Sequence, residues 1–239
     1  MLPVRPIPVA PGIFQLRGLG ARVTIVLGTN ESLLIDTGAR GSWSLLASGL
    51  ASIGVTPVQV SLVALTHSHP DHCGELYKVV EETSAKVAAH WAEADFVSGK
   101  ELAPNPFTRP VQARLVQPFL PLLYGRPVKV DYRLREDDLL AFSREVAVTH
   151  TPGHTPGSIC FLVPDSHLLV VGDILEYRFG RLRPPREAVT VDPVQARASL
   201  KKLLDLDFDV MCFGHFNPIQ EGAKAALRQL VESIDQEGR

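Results

Sequence analysis

Residues 66–74 read Thr-His-Ser-His-Pro-Asp-His-Cys-Gly and place three imidazoles and a carboxylate within six positions, His67 to His72. The apolar run Val60–Leu65 just before them reads as a short buried strand, and Glu75–Glu82 just after reads as a helix. The motif is therefore a loop between the end of a strand and the start of a helix, where α/β folds concentrate their chemistry. In an extended segment, residues i and i+2 point the same way, so His67 and His69 can reach one point. Pro70 turns the chain into the helix, and Asp71 and His72 can then face a second point nearby. Imidazole with carboxylate suits zinc, iron or manganese. Without an ion, burying such a loop would leave several polar atoms unsatisfied.

A chain of 239 residues can bury a sizeable core, and we read it as one domain spanning 1–239. Its 45% hydrophobic and 21% charged content is that of a folded globular protein. The net charge of −2 gives no footprint for a nucleic-acid partner. No apolar run approaches the ~20 residues that span a bilayer, so no membrane partner is expected. The start, residues 1–6, lacks the charged-then-apolar order of a signal peptide. The cysteines Cys73, Cys160 and Cys212 are odd in number and far apart, which suits reduced thiols in the cytoplasm. Cys73 abuts the motif, as a small residue packed under the loop or as a reactive or ligating thiol.

Along the chain, 13–16, 22–27 and 32–35 are strand candidates, with a hairpin signal at Gly28-Thr29-Asn30-Glu31. Asp36-Thr37-Gly38 follows directly, and Asp36 could cap a turn or orient a metal ligand from behind. A helix over 43–53 ends at Gly54. A strand over 85–90 ends in His90, read as structural. Between 96 and 130 the prolines 104, 106, 110, 118, 121 and 127 break any long element. Phe96, Phe107, Phe119, Leu120, Leu122, Leu123 and Tyr124 make this stretch too apolar for a solvated linker. It reads as an insertion packed over the pocket as a lid, or against a second copy in a homodimer. Strands resume at 146–149, 159–163 and 168–171, the last two joined by a turn carrying a solvated His167. Residues 174–191 read as a loop with Arg178, Arg181, Arg183 and Arg186. Asp192 and Pro193 open a helix running to Leu204, 209–213 is a last strand, and 222–234 a last helix.

Four strand ends thus carry metal-competent groups: the 67–72 loop, His154, Asp173 and His215. Seven candidate ligands exceed one tetrahedral ion and fit two adjacent ions with a carboxylate between them.

In these motifs the sequence resembles the metallo-β-lactamase superfamily. The resemblance covers roughly residues 10–220. It rests on Thr66-His-Ser-His-Pro-Asp-His, Pro152-Gly-His-Thr-Pro-Gly-Ser, Val171-Gly-Asp, Phe213-Gly-His and the upstream Asp36-Thr-Gly. It implies an α/β fold, a four-layer αβ/βα sandwich of two mixed sheets flanked by helices. It further implies a dinuclear site in which His67, His69 and His154 hold one ion. Asp71, His72 and His215 would hold the other, Asp173 would bridge them, and Asp36 would support the loop from behind. Two divalent ions, zinc first and iron or manganese next, are the implied cofactors.

Within the superfamily, the true β-lactamases lack a bridging aspartate, and the flavodiiron branch has glutamate where His69 stands. The tRNA-processing branch needs a basic surface. Glyoxalase II-like thioesterases and lactonases share the bridging aspartate, although glyoxalase II has a longer helical region than the 24 residues after His215 here. The expected activity is attack of a metal-bridging hydroxide on an ester, thioester or lactone carbonyl of a small molecule. Two divalent ions against Asp71, Asp173 and hydroxide leave the site about one charge positive, so the substrate should be acidic. Asp71 would orient the hydroxide, Tyr177 would protonate the leaving group, and Arg178 and Arg181 would clamp an anion. A mononuclear iron persulfide dioxygenase is the alternative chemistry on this fold. A non-catalytic binding protein is a third reading, but such proteins lose ligands and none of the seven is missing.

Overall fold

The computed structural model describes residues 5–237. The expectation about the N-terminal stretch therefore falls largely on residues outside those described. Seven strands build the first sheet: β1 (Ile7–Ala10), β2 (Ile13–Arg17), β3 (Arg22–Leu27), β4 (Ser32–Ile35), β5 (Val60–Ala64), β6 (Lys86–His90) and β7 (Tyr132–Leu134), hydrogen-bonded in that order. The pairs β1–β2, β2–β3 and β3–β4 are antiparallel, whereas β4, β5, β6 and β7 run parallel. The second sheet contains β8 (Ala147–His150), β9 (Ile159–Val163), β10 (Leu168–Val170) and, parallel to β10, a C-terminal strand Val210–Cys212. The stretch read as a loop after Asp173 instead holds a small antiparallel hairpin, β11 (Glu176–Arg178) with β12 (Arg181–Arg183), so the C-terminal strand is β13.

Helices cover both outer faces. They are α1 (Trp43–Ser52), α2 (Pro70–Cys73), α3 (Leu76–Thr83), α4 (Trp91–Val97), α5 (Pro110–Val116), α6 (Leu120–Tyr124), α7 (Pro193–Lys202) and α8 (Ala223–Glu237). The strands are apolar on both sides because each sheet is buried twice. Leu33 and Ile35 of β4 face the inter-sheet core with Ile159, Phe161 and Val163 of β9, while Leu34 packs outward with Leu46 and Leu50 of α1. On the other sheet, Leu168 and Val170 face inward, and Leu169 packs outward with Leu200 of α7 and Leu227 of α8. Period-two alternation thus divides one apolar run between two cores, which gives the four layers.

Local signals set the ends. Asp192 accepts from the Gln195 amide at 2.9 Å and Pro193 occupies the first helical position of α7, so residues 192–193 form the expected cap. Gly54 takes a left-handed φ of 76° just past α1. At the other end of α1, the Glu75 carboxylate accepts from the Gly41 and Trp43 amides at 2.5 and 2.9 Å. That ties the helix start to the metal-competent loop. The prolines between 104 and 127 do not abolish helix. They confine it to the short α5 and α6 joined by a 3₁₀ turn, with Pro110 at the N1 position.

Candidate metal centre

The seven groups, and Asp36 behind them, come from chain segments that leave the ends of strands. Asp36 follows β4, the 67–72 loop follows β5, Asp173 follows β10, and His215 follows β13. His154 stands on the loop between β8 and β9. Parallel β4 and β5 open at one edge of the first sheet, and parallel β10 and β13 open at the facing edge of the second. The sandwich therefore delivers both ligand sets to one place.

Two clusters result. His67, His69 and His154 offer nitrogens that lie mutually within 4.8 Å, as do the ligand atoms of Asp71, His72 and His215; Asp173 joins His67 and His72 in a third such group. His154 Nε2 is 3.2 Å from His67 Nε2 and 3.0 Å from His69 Nδ1. Asp173 Oδ1 lies 3.3 Å from His72 Nε2, and its Oδ2 lies 2.9 Å from His215 Nε2 and 3.9 Å from His154 Nε2. Asp71 Oδ2 is 3.4 Å from His215 Nε2. The aspartate expected to bridge is thus the group that touches both clusters.

The outward-facing nitrogens determine what the inward ones can be. Thr66 Oγ1 donates to Asp36 at 2.9 Å, so it accepts from His67 Nδ1–H at 3.0 Å. Thr190 Oγ1 donates to the Arg186 carbonyl at 2.7 Å, so it accepts from His154 Nδ1–H at 3.3 Å. His72 Nδ1–H donates to Asp36 Oδ2 at 2.8 Å, and His215 Nδ1–H donates to the Gly20 carbonyl at 2.9 Å. Four Nε2 lone pairs are then directed at one another or at carboxylate oxygens. His72 Nε2 and Asp173 Oδ1 are buried without a hydrogen-bond partner, although only 3.3 Å apart. Two such atoms repel unless a proton or a metal cation lies between them, and with the nitrogens of His67, His69 and His154 gathered beside them the residues present fit divalent ions.

The electrostatics agree. Burial, reinforced by neighbouring imidazoles, drives the His67 and His154 pKa values well below the ordinary histidine value. These rings are neutral and available as ligands. Burial also opposes a charge on His72, yet Asp173 and Asp36 raise its pKa well above normal. Burial would likewise raise Asp173, but His72 and His215 hold it well below the usual carboxylate value. The second cluster is a field that attracts positive charge.

The Asp36 carboxylate is taken up by Thr66 and by the His72 ring. Asp36 adopts a left-handed φ of 67°, rare for a non-glycine residue, and aims its carboxylate at the Thr66 amide (2.8 Å) and His72 Nδ1. Gly214 leaves room for the same crowding, since a Cβ there would collide with Asp173 Oδ1 and the His72 ring.

Sequence reasoning missed Glu93. It is 2% exposed on α4, beyond the motif and with no local signature. Its Oε2 accepts from the Ser68 amide at 3.1 Å and from the Ser68 hydroxyl, while Oε1 accepts from the Gly157 amide at 2.8 Å. One buried carboxylate thus fastens the loop of His67 and His69 to the loop of His154.

A groove of about 720 Å³ opens on the cluster, lined by His69, Asp71, Asp173 and His215. Phe107, Leu122 and Leu123 of the 96–130 stretch supply one side, so this insertion lies over the site. Tyr124 instead lines a separate cavity of about 320 Å³ behind α6, with its hydroxyl donating to the Pro104 carbonyl. Phe119 points into solvent. Tyr177 is not brought to the groove: its ring stacks on Phe213 at 5.8 Å. Nor do Arg178 and Arg181 line it. Arg178 pairs with Glu176 at 2.8 Å and lies over Phe216, and Arg181 is exposed on β12. Arg178 is thus held on two residues that themselves line the groove, and Arg181 lies on the second strand of a hairpin that the reading of 174–191 as loop did not foresee. The arginines that do line the groove are Arg40 and Arg186. Arg186 is paired with Glu176, whereas Arg40 donates only to the Leu122 carbonyl among its described contacts. Cys73 is buried with its thiol donating to the Ser68 carbonyl, and burial pushes its pKa up, so it packs under the loop as an unreactive thiol. All three cysteines are unpaired.

The profile described as the metallo-beta-lactamase superfamily matches residues 16–215. The probable metallo-hydrolase YflN of Bacillus subtilis (strain 168) is 28% identical over 78% of this chain and 76% of its own. The acyl-coenzyme A thioesterase MBLAC2 of Bos taurus is 32% identical over 68% of this chain, a match spanning 61% of that protein. Among solved structures, the metallo-beta-lactamase family protein TTHA1429 from Thermus thermophilus superposes with a TM-score of 0.71 at 25% identity, covering 97% of this chain and 80% of that one. The paired sheets, the seven converging ligand groups and the profile match agree that this chain belongs to the metallo-β-lactamase superfamily of hydrolases.

Proposed function

We propose that the chain hydrolyses an acyl thioester, or a related ester or lactone, whose non-acyl portion carries an anion, at a pair of divalent ions. The observation that carries this reading is the convergence of the His67, His72, His154 and His215 imidazoles on Asp173, with His72 Nε2 and Asp173 Oδ1 buried 3.3 Å apart and without a hydrogen-bond partner. His67, His69 and His154 would hold one ion, Asp71, His72 and His215 the other, and Asp173 would lie between. Ions held there would polarise a carbonyl and lower the pKa of a water toward neutrality.

The chain's own residues supply the rest. Asp71 lines the groove, and its carboxylate would orient the attacking water and accept its proton. The apolar side formed by Phe107, Leu122 and Leu123 would hold an acyl chain and exclude bulk water. Arg40, which has no carboxylate partner among the described residues, would meet the anion. The thioesterase name of one relative supports the acyl thioester over other esters.

The test is elemental analysis joined to a substrate panel. Chain purified without chelator should carry close to two transition-metal ions and cleave acyl thioesters with acidic leaving groups faster than neutral thioesters of the same length. A single ion that does not rise on adding metal would overturn the dinuclear reading. Equal rates on acidic and neutral substrates would overturn the anion site.

A further inference from the structure

The outer face of the insertion differs from the rest of the surface. From Pro110 to Tyr124 the chain is helical almost throughout, as α5, a 3₁₀ turn and α6. Val111, Leu115, Phe119 and Leu122 recur at intervals of four, four and three along it and make an exposed apolar stripe in the sequence that runs from α5 through the 3₁₀ turn into α6. They are 73, 68, 58 and 59% exposed. The inward side of the same segment is anchored by buried Leu120, so the outward stripe is not core left unpacked. Charge is equally one-sided. Residues 102–130 contain Arg109, Arg114, Arg126 and Lys129 but no aspartate or glutamate, in a chain whose net charge is −2. Neither Arg109 nor Arg114 enters any ion pair among the described residues.

A row of large apolar side chains beside unpaired arginines marks a surface made for a partner. Two copies meeting through this stripe about a twofold axis would bring the same arginines together, with no carboxylate on the stretch to pair them. An anionic lipid surface supplies both missing complements, hydrocarbon for the stripe and negative headgroups for the arginines. The stripe also runs into the groove, because Leu122 ends the one and lines the other.

We propose that this face docks on an anionic lipid surface, with Val111, Leu115, Phe119 and Leu122 entering the acyl boundary and Arg109 and Arg114 meeting the headgroups. The groove then opens next to the bilayer. No helix among the described residues is long and apolar enough to cross a membrane, so the chain would lie on the surface. The expectation of no membrane partner rested on the lack of a spanning run, which has no bearing on interfacial binding.

The test is sedimentation of the metal-loaded chain with phosphatidylcholine vesicles, with or without phosphatidylglycerol, and it reads the surface independently of hydrolysis. The chain should pellet with the anionic vesicles and stay in solution with the neutral ones. Binding should fall as salt rises, since charges are screened within ~10 Å at 0.1 M. Arg109→Gln or Arg114→Gln should each lower the partition coefficient about fivefold. The double variant Leu115→Asp, Phe119→Asp should lower it more than ~10-fold while leaving the melting temperature in place, because both side chains lie in solvent. Absence of binding to anionic vesicles, or wild-type binding by the double variant, would overturn the proposal. So would a dimer in light scattering that Leu115→Asp disperses while vesicles remain unbound, which would assign the stripe to a contact between copies.

Discussion

Replacing Glu93 should separate the two halves of the first metal cluster. Glu93 is buried, and its carboxylate is the acceptor for the amides of Ser68 and Gly157 and for the Ser68 hydroxyl. In Glu93→Ala those donors stay buried and lose their partner. An orphaned donor costs about 1–3 kcal/mol, so the two amides alone predict a loss of about 2–6 kcal/mol in stability. Glu93→Gln keeps the shape but presents an NH₂ group where one acceptor oxygen stood, and should cost about half as much. The second consequence concerns the ions. His154 Nε2 sits 3.2 Å from His67 Nε2 and 3.0 Å from His69 Nδ1 only while the two loops are held together. Loss of such support typically lowers metal affinity by about 10–100-fold. Glu93 touches neither Asp71 nor His215, so the second cluster should keep its affinity. Zinc titration against a chromophoric chelator should therefore show one site weakened and one unchanged in Glu93→Gln, with thermal denaturation read in parallel. A variant that melts earlier but titrates like the wild type at both sites would refute the reasoning and leave Glu93 a purely structural residue.

Asp71→Asn preserves size but removes a charge and a proton acceptor facing the groove, so kcat should fall by ~10²-fold or more at saturating metal. Unchanged turnover would remove Asp71 from the chemistry. Arg40→Gln should raise KM for a substrate with an anionic leaving group about five- to tenfold, as for loss of one charged contact, and leave a neutral substrate alone; equal effects on both would show that Arg40 only braces Leu122. His90 has its pKa lowered to about 4, first by burial and then by the His150 ring stacked on it at 4.0 Å. The folded state thus binds its proton less readily than the unfolded chain, whose histidines titrate near ~6.5. Its contribution is an acid sensitivity: stability falls as pH drops through the window from about 6.5 to about 4. Urea unfolding of His90→Phe, which keeps a ring for the stack, should show a shallower loss across that window, and an unchanged slope would clear His90 of the effect.

Much of this was legible before any coordinates. The candidate ligand groups were readable because a metal site demands particular side chains at short spacing, and His67, His69, Asp71 and His72 lie within one loop. The central strands were readable because burial on both faces forces continuous apolar runs, so 22–27, 32–35 and 159–163 match to the residue. The cap at Asp192 and Pro193 was readable because it is made within four residues. Three kinds of feature were not. The edge strands β1 and β7 and the β11–β12 hairpin are short and half-exposed, so their apolar signal is weak and their state is decided by a neighbouring strand. Side-chain direction beyond a local element was also hidden. Nothing in the order Tyr177-Arg178 says that Tyr177 stacks on Phe213 and Arg178 pairs with Glu176, or that Arg40, remote in sequence, lines the groove. Finally, Glu93 acts across 64 positions on Gly157 and belongs to no motif, whereas Asp36, acting across 36 positions on His72, was legible only through the Asp36-Thr-Gly resemblance. A hydrogen bond between segments so far apart leaves no periodicity or spacing in the chain. The sequence alone determined which atoms can hold metal. The tertiary structure decided how those atoms are held, and which charges share their groove, because both depend on loops that meet only when the two sheets close on each other.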